Sequence, residues 1–250
     1  MFTFVELKEP WLYSDAPSKL LLRPCYRKLL PLMERALRRG ENVLITGSAG
    51  VGKSQLLPLL VSRLAQKGMR LVVDVQGLFA LVDGQRGVRV AAARGEAVFS
   101  AELDDTKTIY VYDYSQNRPP PLPCGARMCL AASPSLAVAA SKVLEKRPGP
   151  FSALYVPAWE LEELEAAARE IFRVDVEQVR ELYSYYGGSI RETVTRLHLP
   201  HTLPNDPEEP EEDRNLPVVM VRCWLWLRLC RGLFLLLFIC RGRSEGSKGF

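Results

Sequence analysis

The 250-residue chain carries 33 Lys/Arg, 29 Asp/Glu and 48% hydrophobic residues, a composition that suits a globular protein and excludes a disordered one. Its net charge of +4 is confined to the end: from Leu216 onward there are six Lys/Arg and one acid, which leaves residues 1–215 with 27 basic and 28 acidic side chains, a net of −1. The body therefore presents no broad basic surface of the kind that binds duplex nucleic acid.

The six cysteines (Cys25, Cys124, Cys129, Cys223, Cys230 and Cys240) form no C-x-x-C pair and no metal-ligand spacing. The first ten residues lack a basic n-region and carry too short an apolar run for a signal peptide. Reduced thiols in an intracellular compartment are expected.

Residues 1–22 read as irregular, broken by Pro10 and Pro17, with Trp11 and Tyr13 as anchors. Residues 23–39 predict a helix, with Tyr26, Leu29, Leu30, Met33 and Leu37 at helical spacing and Gly40 closing it. A short β-branched strand follows at 42–46 and opens a core domain spanning 41–157, with residues 1–40 as its flank. Then comes GSAGVGKS at 47–54, which fits the phosphate-binding pattern G-x-x-x-x-G-K-[ST]. The strand before it and the Leu-rich helix expected over 55–67 supply the context that this pattern needs. In such a loop Gly47, Ser48, Ala49, Gly50, Val51 and Gly52 turn backbone N–H groups inward around phosphate oxygens. The helix N-terminus adds its partial positive charge. Lys53 reaches the outer phosphates, and the Ser54 hydroxyl ligates Mg²⁺. Pro58 should bend this helix, because it removes one backbone donor.

Residues 70–75 predict a second buried strand. A hairpin is expected over 77–92 around an Asp83–Gly84 turn, and 97–100 read as a further short strand, all decorating the core and not building it. Residues 108–113 form the third core strand, ending on Asp113, in the pattern of apolar residues plus a terminal acid that holds Mg²⁺ opposite such a loop. Asp74 has the same local setting and competes. Asp113 is favoured, because in additional-strand ATPases a second strand normally separates the phosphate-binding loop from the strand that carries this acid. Position 114 is Tyr, where those ATPases commonly place the Glu that activates water, so slow hydrolysis is expected.

Residues 115–123 are proline-rich and read as an exposed loop. Residues 127–132 predict a fourth strand that ends before Ser133, for which two readings stand: a γ-phosphate sensor and a strand-end cap. A fifth strand is expected over 152–156. Helices follow: one over 159–172 with four glutamates early in it, and one opened by a capping box from Asp175 to Gln178 and closed by Gly187 and Gly188. A capping box at Ser189–Glu192 is expected to start the last. Arg191 then lies in a first helical turn, where a cation is disfavoured unless phosphate is near; it is either a phosphate sensor or a solvated arginine. These helices, 158–203, form a small lid. The two histidines, His198 and His201, carry no metal-site pattern. Residues 204–215 are an acidic, proline-broken linker. The apolar and basic tail, 216–250, is interrupted by Arg222, Arg228 and Arg231, and its longest clean run falls short of the roughly 20 residues that span a membrane.

The stretch from Arg23 to Gln66, the segment YVPAWELEEL at 155–164 and YGGSIR at 186–191 together resemble the ATPase module of Crinkler effectors and retrotransposon hot spot proteins. The resemblance covers roughly residues 11–200. It implies an additional-strand ATPase with a small helical lid, often joined to a nuclease-like or kinase-like C-terminal domain and often acting in nuclei. Fewer than fifty residues follow the lid, so that effector domain is expected to be absent here, and nuclease activity is not carried over.

The expected fold is α/β: a P-loop NTPase three-layer sandwich with a mostly parallel five-stranded sheet, an inserted hairpin and a C-terminal helical lid. The expected ligands are ATP and Mg²⁺. Lys53 stabilises transferred charge, Ser54 and Asp113 hold the metal, Ser133 is a further nucleotide contact, and Arg191 reads the γ-phosphate. Two alternatives stay open, a non-hydrolysing nucleotide switch and a small-molecule or nucleoside kinase. A protein partner or self-association is compatible with each.

Overall fold

The computed structural model describes residues 2–6, 19–75, 78–84, 87–91, 98–114, 120–121 and 123–198. Trp11, Tyr13, Ala97, residues 115–119 and 122 of the proline-rich loop, His201, the acidic linker and the tail lie outside the described residues.

Where the sequence predicts irregular backbone, the chain opens on an antiparallel pair, β1 (Thr3–Glu6) and β2 (Lys19–Leu22). Four-residue strands are too short to show a period, and their pairing joins residues far apart in sequence, so no local signal announced them. Helix α1 (Pro24–Arg38) starts on Pro24, whose missing N–H costs nothing in a first turn. It buries Tyr26, Leu29, Leu30, Met33 and Leu37, and the Gly40 N–H donates to the Leu37 carbonyl at 3.2 Å to close it.

The main sheet has seven strands. In chain order they are β3 (Asn42–Thr46), β4 (Arg70–Val75), β5 (Leu78–Asp83), β6 (Gly87–Ala91), β7 (Ile109–Tyr114), β8 (Arg127–Ala132) and β9 (Phe151–Tyr155). Their spatial order is β6-β5-β4-β7-β8-β3-β9. Strands β4, β7, β8, β3 and β9 are parallel, which gives the five predicted core strands. The hairpin corrects the sequence reading: β5 pairs along the whole of β4 and β6 along β5, so the insertion extends the sheet. Residues 98–100 are also not a strand. Phe99, 1% exposed, stacks on Phe79 with ring centroids 5.7 Å apart and leads into a short helix, α3 (Ser100–Asp104).

Side chains alternate across each strand, so the sheet has two apolar faces. Val43, Ile45, Leu71, Val73, Ile109, Val111, Cys129 and Ala131 pack with α1 and with α2 (Lys53–Gln66). Leu44, Val72, Tyr110, Tyr112, Met128 and Leu130 face the other way, against α3 and α4 (Pro134–Glu145). Helices thus flank the sheet on both sides. Pro58 does not interrupt α2; it is buried in the helix, at the cost of the bond its N–H would have given the Ser54 carbonyl. Glu34 of α1, 5% exposed, takes Arg63 of α2 and Lys67, the residue that follows that helix, as ion-pair partners and locks these helices together.

A third apolar cluster lies in the C-terminal helices: α5 (Leu161–Ala167), its π-helical continuation Ala168–Phe172, α6 (Val176–Tyr186), a second π-helical turn Arg191–Thr195 and α7 (Arg196–His198). Leu164, Ala167, Phe172, Val179, Ile190 and Val194 fill it. Asp175 caps α6 by accepting from the Glu177 N–H; the helix starts where the sequence predicts, but with this single bond in place of a capping box with Gln178. The β1–β2 ribbon is wedged between this unit and the main core. Leu20 joins the core that α1 and α2 cover, whereas Leu21 joins the C-terminal cluster, with Phe2 and Phe4 packed alongside.

Asn42, 1% exposed, pins the start of β3. Its amide donates to the Pro148 carbonyl at 3.2 Å and its carbonyl accepts the Met128 N–H at 2.8 Å. Replacing it by Ala leaves a buried donor and a buried acceptor unpaired, so Asn42→Ala is expected to lower stability by about 2–3 kcal/mol. Urea unfolding followed by circular dichroism measures this; a loss under about 0.5 kcal/mol contradicts the pinning role.

Candidate functional site

The loop 47–52 connects the carboxyl end of β3 to α2. Gly50 and Gly52 hold φ of +72° and +89°, left-handed backbone that side chains rarely adopt. A methyl on Gly52 would also lie 2.2 Å from the Tyr26 hydroxyl. Val51, 1% exposed, anchors the loop in the core, and Gly47 is buried, with room for no side chain beside the Val156 carbonyl. Ser48 and Ala49 form an exposed tip. Helix α2 begins at Lys53, so the N–H groups of Lys53 and the half-buried Ser54 have no intrahelical acceptor and crown the positive end of the helix.

The Lys53 side chain folds back over this loop. Its ammonium donates to the carbonyls of Gly47 at 2.6 Å and Ser48 at 2.8 Å. Burial pushes its pKa down, Asp113 opposes that, and Arg191 adds to it. Lys53, Asp113 and Arg191 therefore share one electrostatic environment.

Sheet register explains the first pairing. Ile45 lies opposite Ala131 of β8, and Ala131 opposite Asp113 of β7, so the three form one row two strand spacings wide, roughly 10 Å. By strand alternation Asp113 lies on the face of Val111 and Ile109, the face that α2 covers. In that row Ala131 is the residue that separates Asp113 from Ile45 of β3. Asp74 has the opposite parity: it is 2% exposed on the face of Val72 and accepts a hydrogen bond from the Tyr110 hydroxyl at 3.2 Å. The structure thus brings Asp113, and not Asp74, to the loop's side of the sheet. Tyr114 also faces away, its ring 6.1 Å from that of Tyr112.

Ser133 follows β8, the strand between β3 and β7, and so stands at the same carboxyl edge. Its hydroxyl makes no cap bond to the α4 backbone and lies 3.0 Å from that of Ser135. Arg191 is exposed, at the start of a π-helical turn that rests on the loop. The Ile190 N–H donates to the Gly50 carbonyl at 3.2 Å, and a methyl on Gly50 would lie 2.3 Å from the Ser189 hydroxyl and 3.1 Å from Arg191 Cβ. The predicted capping box at Ser189 is not formed. Ser189 is turned toward Gly50, and its carbonyl takes the Thr193 N–H and hydroxyl instead.

Four residues at this site were not singled out from the sequence: Arg23, Tyr26 as a loop contact, Trp159 and Glu163. The Tyr26 hydroxyl donates to the Gly52 carbonyl at 2.8 Å, and burial pushes its pKa well up, which keeps the phenol protonated and donating. Arg23 is 1% exposed beneath the loop, paired with Glu163 and lying 4.3 Å from the Trp159 ring centroid. The available signal was a lone cation inside the apolar run LLLRP, which marks a buried charge needing a partner. The partner is 140 residues away, so the sequence could not name it.

Gly50 and Gly68 share φ of +72°, but a methyl on Gly68 would meet nothing within 4 Å. Gly68→Ala is expected to cost about 1 kcal/mol from backbone strain alone. Gly50→Ala is expected to cost about 1–2 kcal/mol more, from the crowding against Ser189 and Arg191. Paired urea titrations decide it; equal losses would show that residues 189–191 do not rest on the loop. No protein-family model matches this chain, and no curated protein matches it.

Proposed function

We propose that the chain is a P-loop NTPase of the three-layer type, binding ATP with Mg²⁺ at the carboxyl edge of its sheet and hydrolysing it slowly beneath a lid made of the C-terminal helices. The observation that carries this reading is the row Ile45–Ala131–Asp113. It puts an acid on the sheet face that α2 covers, one strand removed from β3, with Lys53 electrostatically linked to it. A cation, an anion and a helix N-terminus at one edge of the sheet are what a metal-bound polyphosphate requires.

In this reading the backbone of Gly47–Gly52 cradles the phosphates. Lys53 exchanges its two loop carbonyls for phosphate oxygens, a stronger charge-assisted pairing. Ser54 and Asp113 hold Mg²⁺, which would supply charge neutralisation on the phosphate oxygens; a magnesium ion shared with phosphates needs no more than one or two protein ligands. Ser133 and Arg191 contact the outer phosphate from the β8 end and from the lid. The sequence contains no N-K-x-D guanine-reading string, which favours ATP over GTP. The resemblance to the Crinkler and retrotransposon hot spot module supports the same assignment, and a nuclear location would follow from it.

One observation favours a second reading. Tyr114, where a water-activating carboxylate would be expected, points into the aromatic cluster of the opposite face. A protein that binds ATP without turning it over, and passes the bound state to a protein partner, fits that arrangement.

The test is ATP binding and Mg²⁺-dependent phosphate release by the full chain beside three variants. Lys53→Ala is expected to weaken ATP binding at least tenfold. Asp113→Asn is expected to abolish the Mg²⁺ dependence, and Asp74→Asn to leave both properties intact. Binding without release selects the switch. Absence of binding by folded wild-type protein removes the proposal, and loss of Mg²⁺ dependence in Asp74→Asn in place of Asp113→Asn overturns the metal assignment.

A further inference from the structure

Arg23 follows β2 and immediately precedes α1, yet its side chain belongs to neither element. Nη1 donates to the carbonyls of Val51 at 2.9 Å and Pro157 at 3.1 Å, and Nη2 donates to that of Ala158 at 2.8 Å. Nη2 and Nε both reach one oxygen of Glu163, at 2.7 and 3.1 Å. That oxygen also accepts the Glu160 N–H at 3.1 Å, fixing the first turn of α5. The Tyr26 and Trp159 rings close over the guanidinium, with centroids 5.6 and 4.3 Å away.

These partners come from three parts of the chain. Val51 lies in the glycine-rich loop between its two left-handed glycines. Pro157 and Ala158 form the single connection from β9 to the C-terminal helices, and Glu163 lies in the first of those helices. One rigid, planar donor thus binds the loop, the connection and the helical unit at once. Its fork geometry makes the three bonds interdependent, since displacing one acceptor tilts the plane that serves the others. Burial strengthens the bonds and raises the cost of breaking any one of them.

We propose that Arg23 is a positioning residue that locks the hinge of the helical lid to the phosphate-binding loop, so that the loop's state sets the lid's mobility. The lock stands on the contacts alone; its response to nucleotide rests on the ATP-binding reading above. Among the described residues the loop also meets the helical unit at Gly50, which takes the Ile190 N–H and packs against Ser189 and Arg191. The lid could therefore follow the loop without Arg23, and that rival is what the experiment must exclude.

Two variants separate the roles. Arg23→Lys keeps a charge for Glu163 but loses the fork that spans the three carbonyls. The double variant Arg23→Met with Glu163→Met removes the ion pair without stranding a buried charge, so it is expected to fold. Hydrogen exchange on the full chain, without nucleotide, should show residues 161–186 exchanging at least tenfold faster in both variants, with β7 and β8 unchanged. Unchanged exchange over 161–186 in the folded variants overturns the lock. With Mg²⁺ and a non-hydrolysable ATP analogue, wild-type protein should gain protection over both 47–56 and 161–186, and the variants over 47–56 only. Protection of both segments in the variants assigns the coupling to Gly50 and Ile190 and overturns the role of Arg23 in it. Absence of protection over 47–56 in wild type refutes the ATP-binding reading instead, and the nucleotide-free comparison then decides the lock by itself.

Discussion

The alternation of side chains across a parallel strand is the constraint on which this molecule is arranged. Once β8 is inserted between β3 and β7, the hydrogen-bonded register fixes which residues of the two outer strands lie level. The period of two then fixes which of them face α2. Asp113 and Asp74 end similar apolar runs, but their parities differ, so one acid is carried to the loop's side and the other into contact with the Tyr110 hydroxyl. The same rule turns Tyr114 away from the loop. Chemistry at the edge is thus set by pleat geometry before any ligand is considered.

The second organising feature is the N-terminal ribbon. In β2, Leu20 and the partly buried Leu22 pack with the main core while Leu21 between them joins the C-terminal cluster, which ties two hydrophobic units through one short strand. Arg23 emerges from that strand in the gap where the two units and the loop converge. Burial opposes its charge, and the Glu163 hydrogen bond together with the electrostatic pull of Tyr26, Cys25 and Glu163 more than offsets this, so the guanidinium stays charged in a nearly dry place. A neutral side chain of similar length could fill the space, but it could not serve three carbonyls and a carboxylate together.

The glycine-rich loop is held in shape by groups outside itself. Tyr26 and Arg23 bind successive carbonyls at Gly52 and Val51, Lys53 covers those of Gly47 and Ser48, and the 189–191 turn seals Gly50. Such a loop has little orientational freedom left to lose, which would lower the entropic cost of ordering it around the phosphates proposed for it.

Much of this was legible in the sequence. The five parallel strands, α1, α2, the α6 cap and the loop's glycines follow from apolar periodicity, turn chemistry and backbone strain, all local properties. That Asp113 lies on the loop's side of the sheet and Asp74 on the other is a matter of register, which the sequence alone did not give. What the sequence did not disclose lies in contacts between distant segments: the β1–β2 ribbon, the extension of the sheet by β5 and β6, the surrender of Ser189's cap to Gly50, and the pairing of Arg23 with Glu163. Local sequence determined where the chain is strand, helix or glycine turn, because those preferences act over a few residues. Only the tertiary structure decided which buried charge meets which partner, because that depends on packing that brings residues 140 positions apart within 3 Å.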